Sequence, residues 1–171
     1  MASPVYFFHG LEGSPQGVKG NFLRQKLPGM VIPSLPMDLA GRAKIIEELI
    51  QEPSWLLGSS LGGLSAILFA LKHPHRVKGM VLVAPAVGFF DPRLGSPAER
   101  QELACLSLPV GMPIRILAAQ EDEIIPLEAI TALVQRSPLA EVRLQVFADN
   151  HSLNQHLEEF WQAFAELYAE A

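Results

Sequence analysis

The sequence predicts a single-domain α/β fold, a three-layer αβα sandwich around a mostly parallel, doubly wound sheet of about six strands. Short apolar runs rich in β-branched residues alternate along the chain with longer segments of helical periodicity. The chain has 171 residues, of which 49% are hydrophobic, so it can bury one sizeable core but leaves no room for two typical domains. We therefore expect one domain over residues 1–171.

Six short apolar runs are predicted to form the strands of this sheet. Each run is almost continuously apolar, which is typical of strands that are buried on both faces of a parallel sheet. The predicted strands cover residues 4–8, 30–33, 55–58, 78–84, 113–119 and 141–147.

The last helix has the clearest helical pattern of the chain. Apolar side chains from Leu153 to Tyr168 recur at helical spacing, so one face of this helix is expected to pack on the core. Ser152 and Gln155 have the spacing of a capping box at its start. The other predicted helices cover residues 17–27, 40–51, 61–72 and 127–135.

Residues 88–112 form the one long irregular connection in the predicted pattern, with a helical turn or two expected near 97–106. Long connections in compact domains are often lids or binding loops. We therefore expect 88–112 to be a short lid-like connection.

Charge and composition exclude several classes of partner. The formal net charge is −5 and no run of Lys or Arg occurs, whereas a nucleic-acid surface needs clustered basic residues. No stretch approaches a membrane span of about 18 apolar residues, and the N-terminus lacks a basic leader region, so we expect a cytoplasmic protein with no membrane partner. Cys105 is the only cysteine, which excludes an internal disulfide, and we expect it to be at least half buried.

One serine motif follows a predicted strand and precedes a predicted helix. The stretch GSSLG at 58–62 fits G-x-S-x-G in one register only, with Ser60 at its centre. The motif is typical of a nucleophile on a sharp strand-to-helix turn, where the residues two positions before and after the serine must be very small. Ser59 would have Leu57 and Leu61 at those positions, so Ser60 is the predicted nucleophile. The alternative is a glycine-rich packing turn without chemistry.

A serine hydroxyl needs a base that takes its proton and a third group that orients the base. His151 lies just past the last predicted strand, at a carboxyl end, where sites form in such sheets. His73 and His75 lie at the end of the helix that follows the serine motif, away from the strand ends. His156 lies five residues beyond His151, so the pair does not share a helix face as two zinc ligands would. We predict that His151 is the base and that the chain has no metal site.

Asp122 is the predicted orienting acid. It lies in the turn between the fifth predicted strand and the following helix, flanked by Glu121 and Glu123. A solvated acidic loop is therefore the alternative interpretation. The chain order Ser60, Asp122, His151 matches the Ser…Asp…His order that accompanies a G-x-S-x-G turn.

Attack on a carbonyl group places negative charge on its oxygen, which a pair of N–H donors would stabilise. Leu61, at the start of a predicted helix, would supply one backbone N–H. The loop after the first strand, FFHGLEGSP, would supply the other, because Gly10 lets the backbone turn closely and Leu11 can point its N–H inward while His9 braces the loop. The alternative is a tight strand-to-helix turn with no further role.

Together these motifs resemble the α/β-hydrolases, and most closely the small YqiA-like bacterial esterases. The resemblance spans nearly the whole chain and rests on HGLEGSP, GSSLGG, EDEIIP and DNH, in the family's order and at similar spacing. It implies a reduced α/β-hydrolase fold with a minimal lid, lacking the first two strands of larger members. It also implies serine-esterase activity without a cofactor. Ala119 departs from the glycine that many members have before the acid turn, and 88–112 is shorter than most lids.

The predicted function is hydrolysis of carboxylic esters of short to medium acyl chain through an acyl-enzyme on Ser60. We expect a small-molecule ester substrate, no cofactor, no metal, and a monomer or homodimer. The residues expected to contact the substrate are His9, Gly10, Leu11, Phe89, Phe90, Leu94 and Ile124.

Other functions fit the sequence less well or stay open. A dehalogenase would need a carboxylate in place of Ser60, and a phosphate-binding protein would need a basic residue beside the loop 58–63. A thioesterase or small peptidase on the same residues is an alternative within the hydrolases. A non-catalytic binding protein with the same fold is the alternative from another class.

Overall fold

The computed structural model describes residues 3–88 and 95–170. Within these residues the chain forms one parallel sheet of five strands, in chain order across the sheet, with six α-helices packed around it. This arrangement confirms the predicted α/β fold. The elements are β1 (Val5–Phe8), α1 (Val18–Lys26), α2 (Leu39–Leu49), β2 (Ser54–Ser59), α3 (Leu61–Lys72), β3 (Val77–Val83), α4 (Pro97–Ala104), β4 (Pro113–Ala119), α5 (Leu127–Gln135), β5 (Glu141–Phe147) and α6 (Leu157–Ala169).

The predicted strand over 30–33 is wrong, because this segment pairs with β1 at a single position. The N–H of Phe7 donates to the Val31 carbonyl oxygen at 3.0 Å, and the N–H of Val31 donates to the Val5 carbonyl oxygen at 2.9 Å. Pro33 follows two residues later and has no N–H to donate, so the pairing does not continue. The sheet therefore has five strands within the described residues, not six.

This single pairing at the outer edge of β1 decides which face each helix covers. The chain leaves β1 outward to Val31, crosses back to β2 and then moves steadily toward β5. Right-handed crossovers that run in opposite directions place their helices on opposite faces of a parallel sheet. One face accordingly packs against α1 and α6 through Leu23, Phe160 and Phe164, and the other packs against α2, α3 and α5. The predicted doubly wound, three-layer arrangement is confirmed.

The start of the last helix differs from the prediction. The capping box expected at Ser152 and Gln155 is wrong, because Leu153 has a left-handed backbone with φ 49° and a 3₁₀ turn over Asn154–His156 precedes α6. The N–H of Gln155 donates instead to Oδ2 of Asp149 at 3.3 Å. A buried carboxylate therefore takes the place of the predicted serine cap.

The connection between β3 and β4 contains α4, at the predicted position of a helical turn. Its capping box is complete, because Ser96 Oγ accepts from the Glu99 N–H at 3.3 Å and the Glu99 carboxylate accepts from the Ser96 N–H at 2.6 Å. Leu108 and Met112 then pack into the core on the α2 and α3 face. Cys105 is exposed, contrary to the expectation that it is at least half buried. No helix in the described part of the chain is both long and apolar enough to cross a membrane.

The first turn of α3 lies directly against the carboxyl end of β1. An ideal Cβ atom at Gly62 would overlap the carbonyl oxygen of Phe8 and lie 2.8 Å from that of His9. Backbone atoms cannot rotate aside as the end of a flexible side chain can. The helix therefore approaches the strand this closely only because residue 62 is glycine.

We predict that Gly62→Ala lowers the free energy of unfolding by about 3 kcal/mol, because the added methyl group must push α3 away from β1. Gly29→Ala is the matched control, since a Cβ there meets nothing within 4 Å. We expect this control to lie between no change and a gain of about 1 kcal/mol. Urea unfolding followed by circular dichroism measures both, and equal stabilities would contradict the proposed crowding.

Candidate active site

The carboxyl ends of β1 and β2 form the centre of the candidate site. The chain turns from β1 toward α1 and from β2 toward α3, on opposite faces of the sheet, so a crevice opens between the two strand ends. A cavity of about 660 Å³ occupies this crevice. Predicted site residues that line it are His9, Gly10, Leu11, Ser60, Leu61, Ile124 and His151.

Ser60 lies on the turn between β2 and α3 in a strained backbone conformation. Its φ of 53° and ψ of −119° are unfavourable for a residue with a side chain, at a cost of about 1–3 kcal/mol. The turn is held because the Ser60 N–H donates to the Val83 carbonyl oxygen at 2.9 Å. The Ser60 carbonyl oxygen accepts from the N–H groups of Gly63 at 2.9 Å and Ala86 at 3.0 Å. These bonds fix the hydroxyl at the edge of the cavity.

The glycines two residues before and after Ser60 occupy positions with no room for a side chain. An ideal Cβ at Gly58 would lie 2.5 Å from the Gly62 carbonyl oxygen, and Gly62 itself abuts β1. Ser60 is therefore the serine whose flanks meet the steric demand of the turn. Ser59 is the last residue of β2 and has leucines at the equivalent positions.

Ser60, His151 and Asp122 form a continuous chain of hydrogen bonds. The Ser60 Oγ lies 3.0 Å from Nε2 of His151, and Nδ1 of His151 lies 2.9 and 2.7 Å from the two carboxylate oxygens of Asp122. An ionised carboxylate only accepts, so the hydrogen-bond network assigns the ring proton to Nδ1. Nε2 then accepts from the serine hydroxyl. The ring is thus oriented and in the tautomer that receives a proton from serine.

The Asp122 carboxylate is enclosed and fixed from its own loop. Its side chain is 1% exposed, and Oδ1 also accepts from the N–H groups of Ile124 at 2.9 Å and Ile125 at 2.7 Å. This environment does not fit the alternative of a solvated acidic loop. Its neighbour Glu121 is exposed, with its backbone N–H donated to the Asp149 carbonyl oxygen at 3.2 Å.

Glu123 contacts the backbone of His151 and not its ring. Its Oε2 accepts from the His151 N–H at 3.3 Å. The backbone N–H groups of Glu123 itself and of His151 hold the pKa of the Glu123 carboxyl below its usual range. This carboxylate therefore ties the Asp122 loop to the His151 loop.

A buried carboxylate organises the loop that carries His151. Asp149 accepts from the N–H of Asn150 at 2.7 Å and lies 3.2 Å from Nδ1 of His156. Burial opposes ionisation of Asp149, but these hydrogen bonds outweigh it and hold the pKa of this carboxyl below its usual range. His156, excluded as a metal ligand from the sequence, therefore pairs with Asp149.

Lys19 of α1 also anchors this loop. Its Nζ donates to the Ser152 carbonyl oxygen and to Oδ1 of Asn154, the latter at 3.1 Å. Burial lowers the pKa of Lys19 to about 8. No sequence pattern indicates this role, because a lysine in the first turn of a helix ordinarily faces solvent. The lysine thus links the helix after β1 to the residues directly after His151.

The His9 ring braces the loop after β1. Nδ1 lies 2.8 Å from the Gly10 carbonyl oxygen and Nε2 accepts from the Leu35 N–H at 3.0 Å, so the ring proton is assigned to Nδ1. Burial lowers the pKa of His9, which favours this neutral form. Since both nitrogens bond to backbone, they are not available to a substrate, contrary to the simplest interpretation of His9 as a substrate-binding residue.

Arg42 of α2 is a site residue that the sequence analysis missed. Its guanidinium group is completely buried and donates to the carbonyl oxygens of Pro36 at 2.7 Å, His9 at 2.7 Å and Gly10 at 2.8 Å. Its position four residues before Ile46, on the buried face of α2, was the available indication. The loop after β1 is therefore held by two side chains: His9, which belongs to the loop, and Arg42, which reaches it from α2.

Of the seven residues expected to contact the substrate, four line the cavity: His9, Gly10, Leu11 and Ile124. Phe89, Phe90 and Leu94 lie outside the described residues. Residues 95–112, the described part of the lid-like connection after Gly88, contribute nothing to the cavity lining. The apolar walls that the sequence analysis did not name are Phe7, Val18 and Ala86.

The side chains present could support one type of chemistry without a bound group. A hydroxyl that is hydrogen-bonded to an imidazole, itself held by a carboxylate, can attack an electrophilic carbon after losing its proton. Among residues 3–88 and 95–170, no group of three His, Cys, Asp or Glu side chains is arranged to hold a metal ion. Leu61 is the first residue of α3, so its backbone N–H has no intrahelical acceptor. This N–H lies at the positive end of the helix dipole, where negative charge is favoured.

Sequence comparisons match parts of the chain to known proteins. A hydrolase family model described as serine aminopeptidase, S33, matches residues 37–110. A stretch of 54 residues is 48% identical to the chloroplastic pheophytinase of Arabidopsis thaliana and covers 30% of this chain and 11% of that protein. A stretch of 49 residues is 43% identical to a pimeloyl-(acyl-carrier protein) methyl ester esterase of Neisseria meningitidis and covers 29% of this chain and 19% of that protein. The chain thus spans less than a fifth of these curated relatives.

Solved structures match over nearly the whole chain. A Xanthomonas campestris protein described as a hydrolase of the α/β superfamily is 25% identical, with a TM-score of 0.74 and 99% of each chain covered. The monoacylglycerol lipase of Paleococcus ferrophilus is 19% identical, with a TM-score of 0.77 and coverage of 100% of this chain and 97% of that chain. Mouse α/β hydrolase domain-containing protein 10 is 17% identical, with a TM-score of 0.78 and coverage of 98% and 90%. The chain therefore has the fold of the α/β-hydrolases, and part of it matches a hydrolase family model.

Proposed function

We propose that this protein is a serine hydrolase that cleaves carboxylic esters through an acyl-enzyme on Ser60. The observation that carries the proposal is the chain of hydrogen bonds from Ser60 through His151 to Asp122. The esterase and lipase names among the matched proteins support an ester as the bond that is cleaved. The closer resemblance to the YqiA-like esterases stays a prediction.

In the first half of the reaction, Ser60 Oγ attacks the ester carbonyl carbon and its proton passes to Nε2 of His151. Asp122 holds the imidazole in place and stabilises the imidazolium that forms. The negative charge on the former carbonyl oxygen is stabilised by the backbone N–H groups of Leu11 and Leu61, which act as the oxyanion hole. The C–O bond to the alcohol then breaks, and the leaving oxygen takes the proton back from His151.

In the second half, water replaces the alcohol. His151 accepts a proton from the water as it attacks the acyl carbon, and the same oxyanion hole stabilises the second tetrahedral intermediate. Its collapse releases the carboxylic acid and returns the proton to Ser60. The protein's own side chains balance each proton transfer, so the proposed cycle uses no cofactor.

The cavity supports substrates with a short to medium acyl chain. Its volume of about 660 Å³ falls within the range of ordinary small-molecule sites. Phe7, Leu11, Val18 and Ile124 give it apolar walls near Ser60. A series of p-nitrophenyl esters from acetate upward measures the preferred length, and a matched thioester and p-nitroanilide measure whether the protein prefers the ester bond.

We predict that Ser60→Ala lowers kcat for p-nitrophenyl esters by about 10⁴-fold or more and abolishes covalent labelling by a fluorophosphonate, because the attacking oxygen is removed. Ser59→Ala is the matched control and keeps most of both, since its flanking leucines cannot occupy the turn. Labelling that disappears in Ser59→Ala and survives in Ser60→Ala would overturn the assignment. A wild-type protein that is neither labelled nor active on any ester would instead indicate a non-catalytic binding protein.

We predict that Asp122→Asn lowers kcat by about 10³- to 10⁴-fold while the protein stays folded, because the amide no longer holds the proton of His151 on Nδ1. Glu121→Gln, an exposed neighbour with the same kind of change, should leave kcat within about twofold. Steady-state kinetics together with thermal unfolding of both variants tests this. Equal losses in the two variants would show that the wrong carboxylate has been assigned.

A further inference from the structure

The carbonyl oxygen of Gly10 accepts hydrogen bonds from three donors. These are Nη2 of Arg42 at 2.8 Å, Nδ1 of His9 at 2.8 Å and the backbone N–H of Gly13 at 3.3 Å. This carbonyl belongs to the same peptide group as the N–H of Leu11. The peptide that would supply one oxyanion donor is therefore held by its opposite end.

Burial of the Arg42 guanidinium has a high desolvation free energy for a purely structural contact. The guanidinium is completely buried, and its three hydrogen bonds among the described residues all go to backbone carbonyl oxygens. Burying a charge costs free energy unless strong polar contacts replace water. Although burial lowers the pKa of Arg42 to about 10, the group stays protonated at neutral pH. A positive charge is thus retained inside the fold, directed at three backbone carbonyl oxygens.

The geometry of the peptide bond converts the Arg42 contact into a direction for Leu11. In a planar trans peptide the N–H points opposite to the C=O. The Gly10 carbonyl points to Arg42 and His9, so the Leu11 N–H points away from them. Gly10 borders the cavity beside Ser60, because an ideal Cβ on Gly10 would lie 3.3 Å from the Ser60 Cβ.

We propose that Arg42, together with His9, is a positioning residue that fixes and polarises the Gly10–Leu11 peptide so that the Leu11 N–H stabilises the oxyanion. Hydrogen bonds from a cation are about twice as strong as neutral ones, and a bond to the oxygen of an amide strengthens the donor at its nitrogen. The inference rests on the proposed function. It assigns a role to a residue that touches neither the substrate nor Ser60, His151 or Asp122.

The test compares an ester with its thionoester, in which sulfur replaces the carbonyl oxygen. Sulfur accepts hydrogen bonds weakly, so the thionoester gains little from the oxyanion donors. Arg42→Lys keeps a positive charge, but one ammonium group cannot reproduce the planar fork that reaches three carbonyl oxygens. We expect kcat for the ester to fall by about 10- to 100-fold with KM within about threefold, and kcat for the thionoester to fall much less.

Arg76→Lys is the matched control, because Arg76 also donates to a backbone carbonyl oxygen, that of Ile50 at 3.2 Å, but does not line the cavity. It should leave the ester-to-thionoester ratio unchanged. Equal losses for ester and thionoester in Arg42→Lys would show a general structural role and overturn the inference. An unchanged kcat in a folded Arg42→Lys protein would overturn it as well.

Two further measurements cover a variant that fails to fold. His9→Gln removes the ring donor from the same Gly10 carbonyl oxygen and should lower the ester-to-thionoester ratio of kcat, as Arg42→Lys is expected to do. In the wild-type protein, the Leu11 amide proton resonance should move downfield when a fluorophosphonate occupies Ser60, and an unmoved resonance contradicts the inference. Ser60→Ala separates the two proposals. If this variant stays active, the proposed function fails and this inference fails with it. If it is inactive but Arg42→Lys leaves the ester-to-thionoester ratio unchanged, only this inference is overturned.

Discussion

The close approach of α3 to the ends of β1 and β2 is the constraint on which the site depends. Gly62 lets the first turn of the helix abut the Phe8 carbonyl, and Gly58 lets the turn around Ser60 close. These contacts force Ser60 into a strained backbone and bring it beside the loop at Gly10. The hydroxyl and the proposed oxyanion donors are therefore adjacent because backbone packs on backbone, before any side chain contributes.

Polar groups hold the remaining loops with little help from ion pairs. Arg42 fixes the loop after β1 through carbonyl oxygens, and Lys19 does the same for the loop after His151. Asp149 replaces a helix cap by accepting backbone N–H groups. In each case a charged side chain bonds to main-chain atoms of a loop beside the cavity. These bonds hold the loops around the cavity in place, and Ser60 and the His151 ring keep the partners that the proposed reaction needs.

The parts of this molecule that could be predicted from sequence are those set by neighbouring residues. The bounds of β4, β5, α3 and α5 follow from local apolar patterns and agree with the structure. The apolar residues of 30–33 predict a strand, but the segment forms only a single bridge to β1 before Pro33 ends the pairing. The predicted capping box at Ser152 is wrong because the Asp149 carboxylate, earlier in the loop, accepts from the Gln155 N–H instead. Arg42 and Lys19 act through contacts made only after folding, so the helical position of Arg42 beside Ile46 could indicate its burial but not the carbonyl oxygens that it binds.

The site also has a consequence for how the chain acquires function during synthesis. The strand β1 pairs with β2, whose residues follow about fifty positions later, and the loop bearing His151 comes after the last strand. A nascent chain that has already formed the Ser60 turn still lacks its histidine and the Lys19 contact that holds the histidine loop. On the proposed function, Ser60 would therefore become reactive only after nearly the whole domain has been synthesised, and a half-made chain would carry an inert serine.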